Sequence, residues 1–346
     1  MPPTLFLLGA TGYIGGDFLY LVNEKHPDWI ITALVRNSDK GATVAKEYPA
    51  VRLIYGDLDS AELIEEEASK ADIVLNFANC DHEAAATAIV KGLGRSSKQQ
   101  VFYIHTSGTG ILTAETFDKD AFGDELTKSY DDWDGIKELW SLPDHALHRK
   151  VDKIVQGSWS DKLKSAIVCP PTIYGQGRGP DNQRSVQADR ATASMLKHQK
   201  GWTVGKGKNV WHQIHVHDLS DLYLHIAEAA ANGGAPATWN DQGYYLAENG
   251  EFVWGDIAKA IARDAHSKGL LPSPDAEGLS TEQIQPLFEG GQYYVGTNSR
   301  GVSKRGKQLF GWKPHRPSLL AWVPSLVDRE ARTLGLTEGH AAKVAA

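Results

Sequence analysis

Near the start of the chain a short apolar run leads into Gly9-Ala10-Thr11-Gly12-Tyr13-Ile14-Gly15, glycines at every third position. Between a strand and a helix, glycines so spaced can cradle a diphosphate. Gly9 permits the tight turn out of the strand. Gly12 lets a phosphate approach where any Cβ would intrude, and Gly15 lets the helix lie close to the sheet. The unpaired N–H groups of the helix start then face the anion, with the positive end of the helix dipole behind them. The chemistry implied is dinucleotide binding through Gly9, Thr11, Gly12, Tyr13, Ile14 and Gly15. The plainer reading is a structural turn in a sheet without cofactor, but the strand before it and the amphipathic helix after it favour the cofactor.

The end of the second strand, Leu34-Val35-Arg36-Asn37, selects the dinucleotide. An Asp or Glu there would bond a free ribose 2′-OH; Arg36 instead suits a 2′-phosphate, with Asn37 beside it. No carboxylate lies between Asp28 and Asp39 to repel that phosphate, so NADP(H) is expected ahead of NAD(H). Gly56-Asp57-Leu58 follows the third strand, where Asp57 either accepts from the adenine amine or caps the next helix, and Leu58 lines the same groove. Ala78, just past the fourth strand, is counted with these contacts.

These residues need a frame. Short, nearly continuous apolar runs at Leu5–Leu8, Ile30–Val35, Val51–Tyr55, Ile73–Phe77 and Val101–His105 read as strands buried on both faces. Helical patterns separate them; Ile14, Phe18, Leu21 and Val22 fall on one helix face. Such alternation predicts an α/β fold of Rossmann type, a doubly wound parallel sheet with right-handed crossovers and helices on both sides. An irregular stretch, 108–143, precedes a helix expected over His145–Gln156, with Leu147, Val151, Ile154 and Val155 as its buried stripe. A sixth strand, Ser165–Cys169, runs into Pro170-Pro171; a helix at Leu219–Ala231 and a strand at Gly243–Ala247 return to the sheet. The division expected is a dinucleotide domain over 1–176 and 213–247, a smaller substrate-capping domain over 177–212 and 248–330, and a loosely held tail over 331–346.

With 41% hydrophobic and 23% charged residues, the composition is that of a globular protein. The net charge of -7 and the lack of a basic run argue against nucleic acid. No apolar stretch reaches the ~18 residues of a membrane span, and no secretory signal is expected. The two cysteines, Cys80 and Cys169, have no partner at metal-ligand spacing, so reduced thiols in a cytoplasmic protein are expected. His212, His215 and His217 alternate along an expected strand without a third ligand on one face, and no metal is expected. Asp218 beside them is read as a tie between the two domains.

With these segments placed, the sequence resembles the short-chain dehydrogenase/reductase superfamily, most of all its extended, sugar-epimerase/dehydratase-like branch and that branch's atypical relatives. The resemblance runs over most of the chain. It rests on Gly9–Gly15, Gly56-Asp57-Leu58, Thr106-Ser107-Gly108, Pro170-Pro171-Thr172-Ile173-Tyr174-Gly175, Ile214-His215-Val216-His217-Asp218-Leu219 and Leu309-Phe310-Gly311-Trp312-Lys313-Pro314. It implies that Pro171, Thr172 and Ile173 touch the nicotinamide end, that the smaller domain caps the substrate, and that the chain forms a homodimer through two long helices.

The chemistry departs from that pattern. Hydride-transferring members pair Tyr-x-x-x-Lys on one helix face, the lysine lowering the phenol pKa. No tyrosine of this chain has a lysine four residues later. Aligning the helix by its stripe puts Asp144 at the tyrosine position, His148 at the lysine position and Asp152 one turn on. Two readings follow: His148, flanked by both aspartates, is a tuned acid/base, or it only bonds the nicotinamide ribose. Ser107 and Thr109 would orient a substrate oxygen, with His145 a second proton donor; Ser107 could equally satisfy its own turn. Tyr174 either donates into the cleft or anchors its loop. Trp133, Trp140 and Trp202 suit an aromatic substrate or plain packing.

Three functions fit. The first is an NADP(H)-dependent reductase of a small carbonyl or hydroxyl compound with a non-standard acid/base. The others are a non-catalytic regulator sensing NADP(H) redox state, and an epimerase or dehydratase with tightly bound cofactor.

Overall fold

The computed structural model describes residues 1–337. The apolar runs form a seven-stranded sheet of β1 (Thr4–Leu8), β2 (Ile30–Val35), β3 (Arg52–Tyr55), β4 (Ile73–Asn76), β5 (Val101–Thr106), β6 (Leu163–Cys169) and β7 (Tyr244–Leu246). Its spatial order is β7-β6-β5-β4-β1-β2-β3 and every pairing is parallel. Leu7 on β1 stands opposite Ala33 on β2 and Leu75 on β4. The chain therefore winds outward one way from β1, then returns and winds the other way from β4, leaving a crevice at the carboxyl ends of β1 and β4.

The long helices are α1 (Tyr13–Lys25), α2 (Ser38–Glu47), α3 (Ala61–Lys70), α4 (Glu83–Arg95), α5 (Arg149–Gln156), α6 (Ala188–Lys197), α7 (Val216–Ala231), α8 (Trp254–Ser267) and α9 (Leu319–Thr333). Alternate side chains of β1 build two cores. Leu5 and Leu7 pack with Phe18 and Val22 of α1, Val44 of α2 and Leu222 and Ile226 of α7. Phe6 and Leu8 pack with Ile64 of α3, Ile89 of α4 and Val155 of α5. This two-sided cladding is why the strands read as continuous apolar runs. A third core joins α6, α8 and α9 with the paired strands Gly201–Val204 and Ala276–Leu279. Trp312 packs not there but in the first core, its indole donating to the Asp218 carbonyl at 3.0 Å.

Several expectations are corrected. The helix expected over His145–Gln156 begins only at Arg149, because His148 takes a left-handed backbone (φ 65°) that no α-helix interior accommodates. Leu147, expected in the buried stripe, is therefore 44% exposed. The strand through the three histidines ends at His215, whose Nδ1 accepts from the His217 backbone as the cap of α7. The loose tail expected from 331 is helical through Thr333, with Ala331 buried against the third core; residues 338–346 lie outside the described residues. Among the described residues no helix is long and apolar enough to cross a membrane.

Candidate functional site

The crevice is lined first by the glycine turn. Gly9 has φ +87°, and a Cβ on it would lie 2.7 Å from the backbone of Phe77 and Ala78 on β4's extension. A Cβ on Gly15 would stand 2.3 Å from the Gly9 carbonyl oxygen, so only glycine lets α1 descend this closely. Gly12 is different: its Cβ would meet nothing but that same oxygen, at 3.1 Å, leaving the other side open for a ligand. Gly12 is also the N-cap of α1, with no side-chain cap and no acidic residue in the first turn. The cradle thus fits a dinucleotide diphosphate on its own geometry.

Toward the adenosine end, Arg36 is exposed at the end of β2, and Asn37 caps α2 by accepting from the Lys40 backbone at 3.0 Å. Asp57 is engaged in its own turn, accepting from the Ser60 hydroxyl at 2.9 Å and the Asp59 backbone at 3.0 Å. Leu58 and Ala78 are half-buried against the second core. Beyond β6, Thr172 and Ile173 sit in a short strand paired with Gln213–His215, and Thr172 Oγ1 is buried without a partner. Tyr174 is an anchor: its hydroxyl donates to the Pro317 carbonyl.

At the carboxyl ends of β4 and β5 a polar cluster gathers. His148 Nδ1 lies 2.8 Å from Asp81 Oδ1 and 3.3 Å from Cys80 Sγ. Its Nε2 faces the backbone of Gly108 and Gly110, where added Cβ atoms would come within 3.2 and 2.9 Å, and among the described residues Nε2 has no hydrogen-bond partner. Burial works against a charged ring here. The Asp81 hydrogen bond, reinforced by Cys80, outweighs it and pushes His148 up to about 10. Asp81 is held below its usual range chiefly by the same hydrogen bond, so the two partners agree. The pair is an imidazolium and a carboxylate at neutral pH.

Behind it lies a buried set. Asp152 accepts from the Tyr244 hydroxyl at 3.1 Å, and its other oxygen, 3.9 Å from His105 Nε2, has no hydrogen bond. Burial raises Asp152 to about 6, against the His148 charge and the Ser107 and Tyr244 hydroxyls; burial and the same His148 charge lower His105 to about 3. Ser107 Oγ and Thr109 Oγ1 are buried just past β5 and lack partners at hydrogen-bonding geometry. Buried hydroxyls left this way suit an incoming acceptor.

The aspartates flanking His148 in sequence are not its partners. Asp144 pairs with Lys153 (2.9 Å), the left-handed residue at 148 having left it outside the helix. Asp152, whose backbone still donates to the His148 carbonyl at 3.2 Å, turns its carboxylate inward to Tyr244. His145, expected as a second donor, is 59% exposed and paired with Asp118 at 3.0 Å; none of its hydrogen bonds reaches the cluster. No local spacing links Asp81 and Cys80 to position 148, so only the folded loops bring the three together. The Cys80, Asp81 and His148 donor atoms lie within 4.8 Å of one another, a spacing that could hold a metal ion. Both contacts, however, use the single nitrogen Nδ1, and Nε2 lacks the acceptor that orients most metal-bound histidines. The tryptophans are packing residues: Trp202 is fully buried in the third core, Trp140 packs edge-on against Tyr244, and Arg305 stacks over Trp133.

Comparison with known proteins agrees with this frame. Residues 4–97 match the model of the semialdehyde dehydrogenase NAD binding domain. The oxidase ucsJ of Acremonium sp is 33% identical over 97% of this chain and 100% of its own length. An uncharacterized protein of Saccharomyces cerevisiae is 25% identical over 91% of this chain and 96% of its own. Among solved structures, the dTDP-glucose 4,6-dehydratase of Bacillus anthracis aligns with TM-score 0.64 at 13% identity, over 96% of this chain and 97% of that one. The UDP-glucose 4-epimerase of Thermotoga maritima gives 0.63 at 13%, over 96% and 99%. These structural likenesses show a shared fold, a dinucleotide-binding sheet with an added smaller lobe. From a relative matched over its full length, the chain belongs to the family of the oxidase ucsJ, and the glycine cradle and sheet order give it the Rossmann-type fold of the sugar-nucleotide dehydratase and epimerase structures.

Proposed function

We propose that this protein is an NADP(H)-dependent oxidoreductase that reduces a small carbonyl compound, with the His148 imidazolium as proton donor in place of the missing tyrosine–lysine pair. The observation that carries it is the Asp81–His148 pair, charged at neutral pH and placed at the carboxyl ends of the strands where this fold binds ligands. The bound nicotinamide supplies the hydride. The protein's part is orientation and one proton. Thr109 Oγ1, which has no partner, and Ser107 Oγ, which faces Asp152 without a well-formed hydrogen bond, are available to hold the carbonyl oxygen. His148 donates the Nε2 proton as charge builds on that oxygen, while Nδ1–H stays on Asp81. An imidazole with so high a pKa is held protonated at neutral pH, so the proton-donating form is populated and the neutral base that alcohol oxidation would need is scarce.

The adenosine end supports NADP(H): Arg36 is exposed at the strand end, and no acidic residue takes its place there. Purified protein with NADPH and a panel of aldehydes, ketones and imines, followed at the nicotinamide absorbance, tests the activity. Turnover abolished by His148→Gln and weakened by Ser107→Ala supports the proposal; tight cofactor binding with no turnover on any compound would leave the regulator reading in its place. Arg36→Asp tests the cofactor. NADPH binding should weaken by about 2–3 kcal/mol with NADH nearly unchanged, and equal losses would remove the NADP(H) assignment.

A further inference from the structure

The corner between β2 and α2, beside Arg36, holds a second cation whose partner comes from far away. Lys40 sits in the first turn of α2, and its ammonium is ion-paired with Asp181, 141 residues later in the chain. Both side chains are half-buried. Asp181 does not drift there by chance, because its segment is bolted to the glycine turn. The Tyr13 hydroxyl donates to the Gly175 carbonyl at 2.6 Å, and the Asn182 backbone donates to the Thr11 carbonyl at 3.2 Å. A Cβ on Gly179 would stand 2.6 Å from the Gly16 Cα, so the two backbones touch. Arg178 grips the buried Asp17 carboxylate with its backbone N–H, Nε and Nη2, and Ser220 donates to the same carboxylate at 2.6 Å.

Arg36, by contrast, makes no hydrogen bond or ion pair among the described residues. A ribose 2′-phosphate at Arg36 would bring close to two negative charges near a fixed carboxylate. It would also compete with that carboxylate for Lys40. Near position 36 the sequence carries one acidic side chain, Asp39 in the first turn of α2; the tertiary structure adds Asp181 on the Lys40 ammonium.

We propose that Asp181 is the built-in counter-anion of the 2′-phosphate site: it holds Lys40 until the phosphate arrives and thereby sets the discrimination between NADP(H) and NAD(H). The inference rests on the NADP(H) reading above. Binding of the phosphate takes Lys40 as a second cation beside Arg36 and leaves Asp181 to solvent, so part of the phosphate's binding energy is spent breaking an existing pair. A ligand without the phosphate leaves the pair closed.

Dissociation constants of NADPH, NADH, 2′,5′-ADP and 5′-AMP, measured by fluorescence or calorimetry, test this in the full chain. Asp181→Asn should tighten NADPH and 2′,5′-ADP by roughly tenfold, the scale of one charge-assisted contact, and leave NADH and 5′-AMP within about twofold. Lys40→Gln should weaken only the two phosphate-bearing ligands. If Asp181→Asn instead weakens all four alike, the pair is a structural latch and the inference is overturned. The melting temperature of ligand-free Asp181→Asn separates a folding defect from a binding effect. A phosphate-specific loss in Arg36→Asp without a gain in Asp181→Asn overturns this inference alone, whereas equal losses in Arg36→Asp remove the 2′-phosphate reading and this inference with it.

Discussion

His148 and Asp81 meet at 2.8 Å although 67 residues separate them, and His148 reaches that position from a left-handed backbone conformation. Strain of this kind, about 1–3 kcal/mol, persists where the surroundings enforce it and is concentrated at functional sites. The two predictions nearest to the chemistry follow from this pair.

Asp81→Asn removes the charge that holds the imidazolium. An acid must be protonated to act, so its rate is lost as pH rises through its pKa. The alkaline limb of kcat/KM, expected near pH 10 in the parent, should move down toward the ordinary imidazole value of 6.5. An unmoved limb would separate Asp81 from the proton donor. The linkage to stability has the same sign. A pKa raised on folding gives stabilisation present in full below about 6.5 and lost as pH rises through about 10, so Asp81→Asn should flatten the parent's stability decline over that window.

His148→Gly and His148→Ala both remove the ring, but only alanine retains the cost of a left-handed backbone. The glycine variant should be the more stable of the two by about 1 kcal/mol in urea unfolding. Equal stabilities would show that the loop relaxes out of this conformation once the imidazole is gone.

Asp152 carries a fully buried carboxylate raised to about 6 by burial. A carboxyl raised on folding stabilises in full below its unfolded value near 3.8 and loses that contribution as pH rises through about 6. At pH 7.5 the charge is therefore a burden. Asp152→Asn keeps an acceptor for Tyr244 and should raise stability at pH 7.5 by about 2 kcal/mol, with little gain at pH 4, checked by melting temperature at both. A gain independent of pH would place the benefit elsewhere.

Two glycines of the cradle should fail in different ways. Gly15→Ala drives a methyl to 2.3 Å from the Gly9 carbonyl and should destabilise the ligand-free protein by more than about 2 kcal/mol. Gly12→Ala meets no comparable obstacle. It should leave the ligand-free melting temperature nearly unchanged while weakening cofactor binding at least about tenfold. A parallel loss in both variants would make the cradle a purely structural turn.

Prolonged dialysis against a chelator should leave turnover intact, since the Cys80, Asp81 and His148 atoms converge on one ring nitrogen. Activity lost on dialysis and restored by zinc would replace the imidazolium with a metal ion as the electrophile.

The sequence by itself determined the frame. Continuous apolar runs reported two-sided burial, which only a sheet covered on both faces provides. The glycine spacing reported where α1 must approach the Gly9 carbonyl too closely for any Cβ. Both signals are local, carried by neighbours along one element. The absence of Tyr-x-x-x-Lys was legible for the same reason, and the same stripe is what made His148 a candidate. Its partners were not legible. The hydrophobic stripe implied an unbroken helix through His148 and so assigned Asp144 and Asp152 to it, but the stripe carries no sign of a left-handed residue. Only the tertiary structure decided that β4's end delivers Cys80 and Asp81 to that ring, and that a distant segment delivers Asp181 to Lys40. Such pairings depend on which loops the packed sheet brings together, and residue spacing along the chain does not encode that.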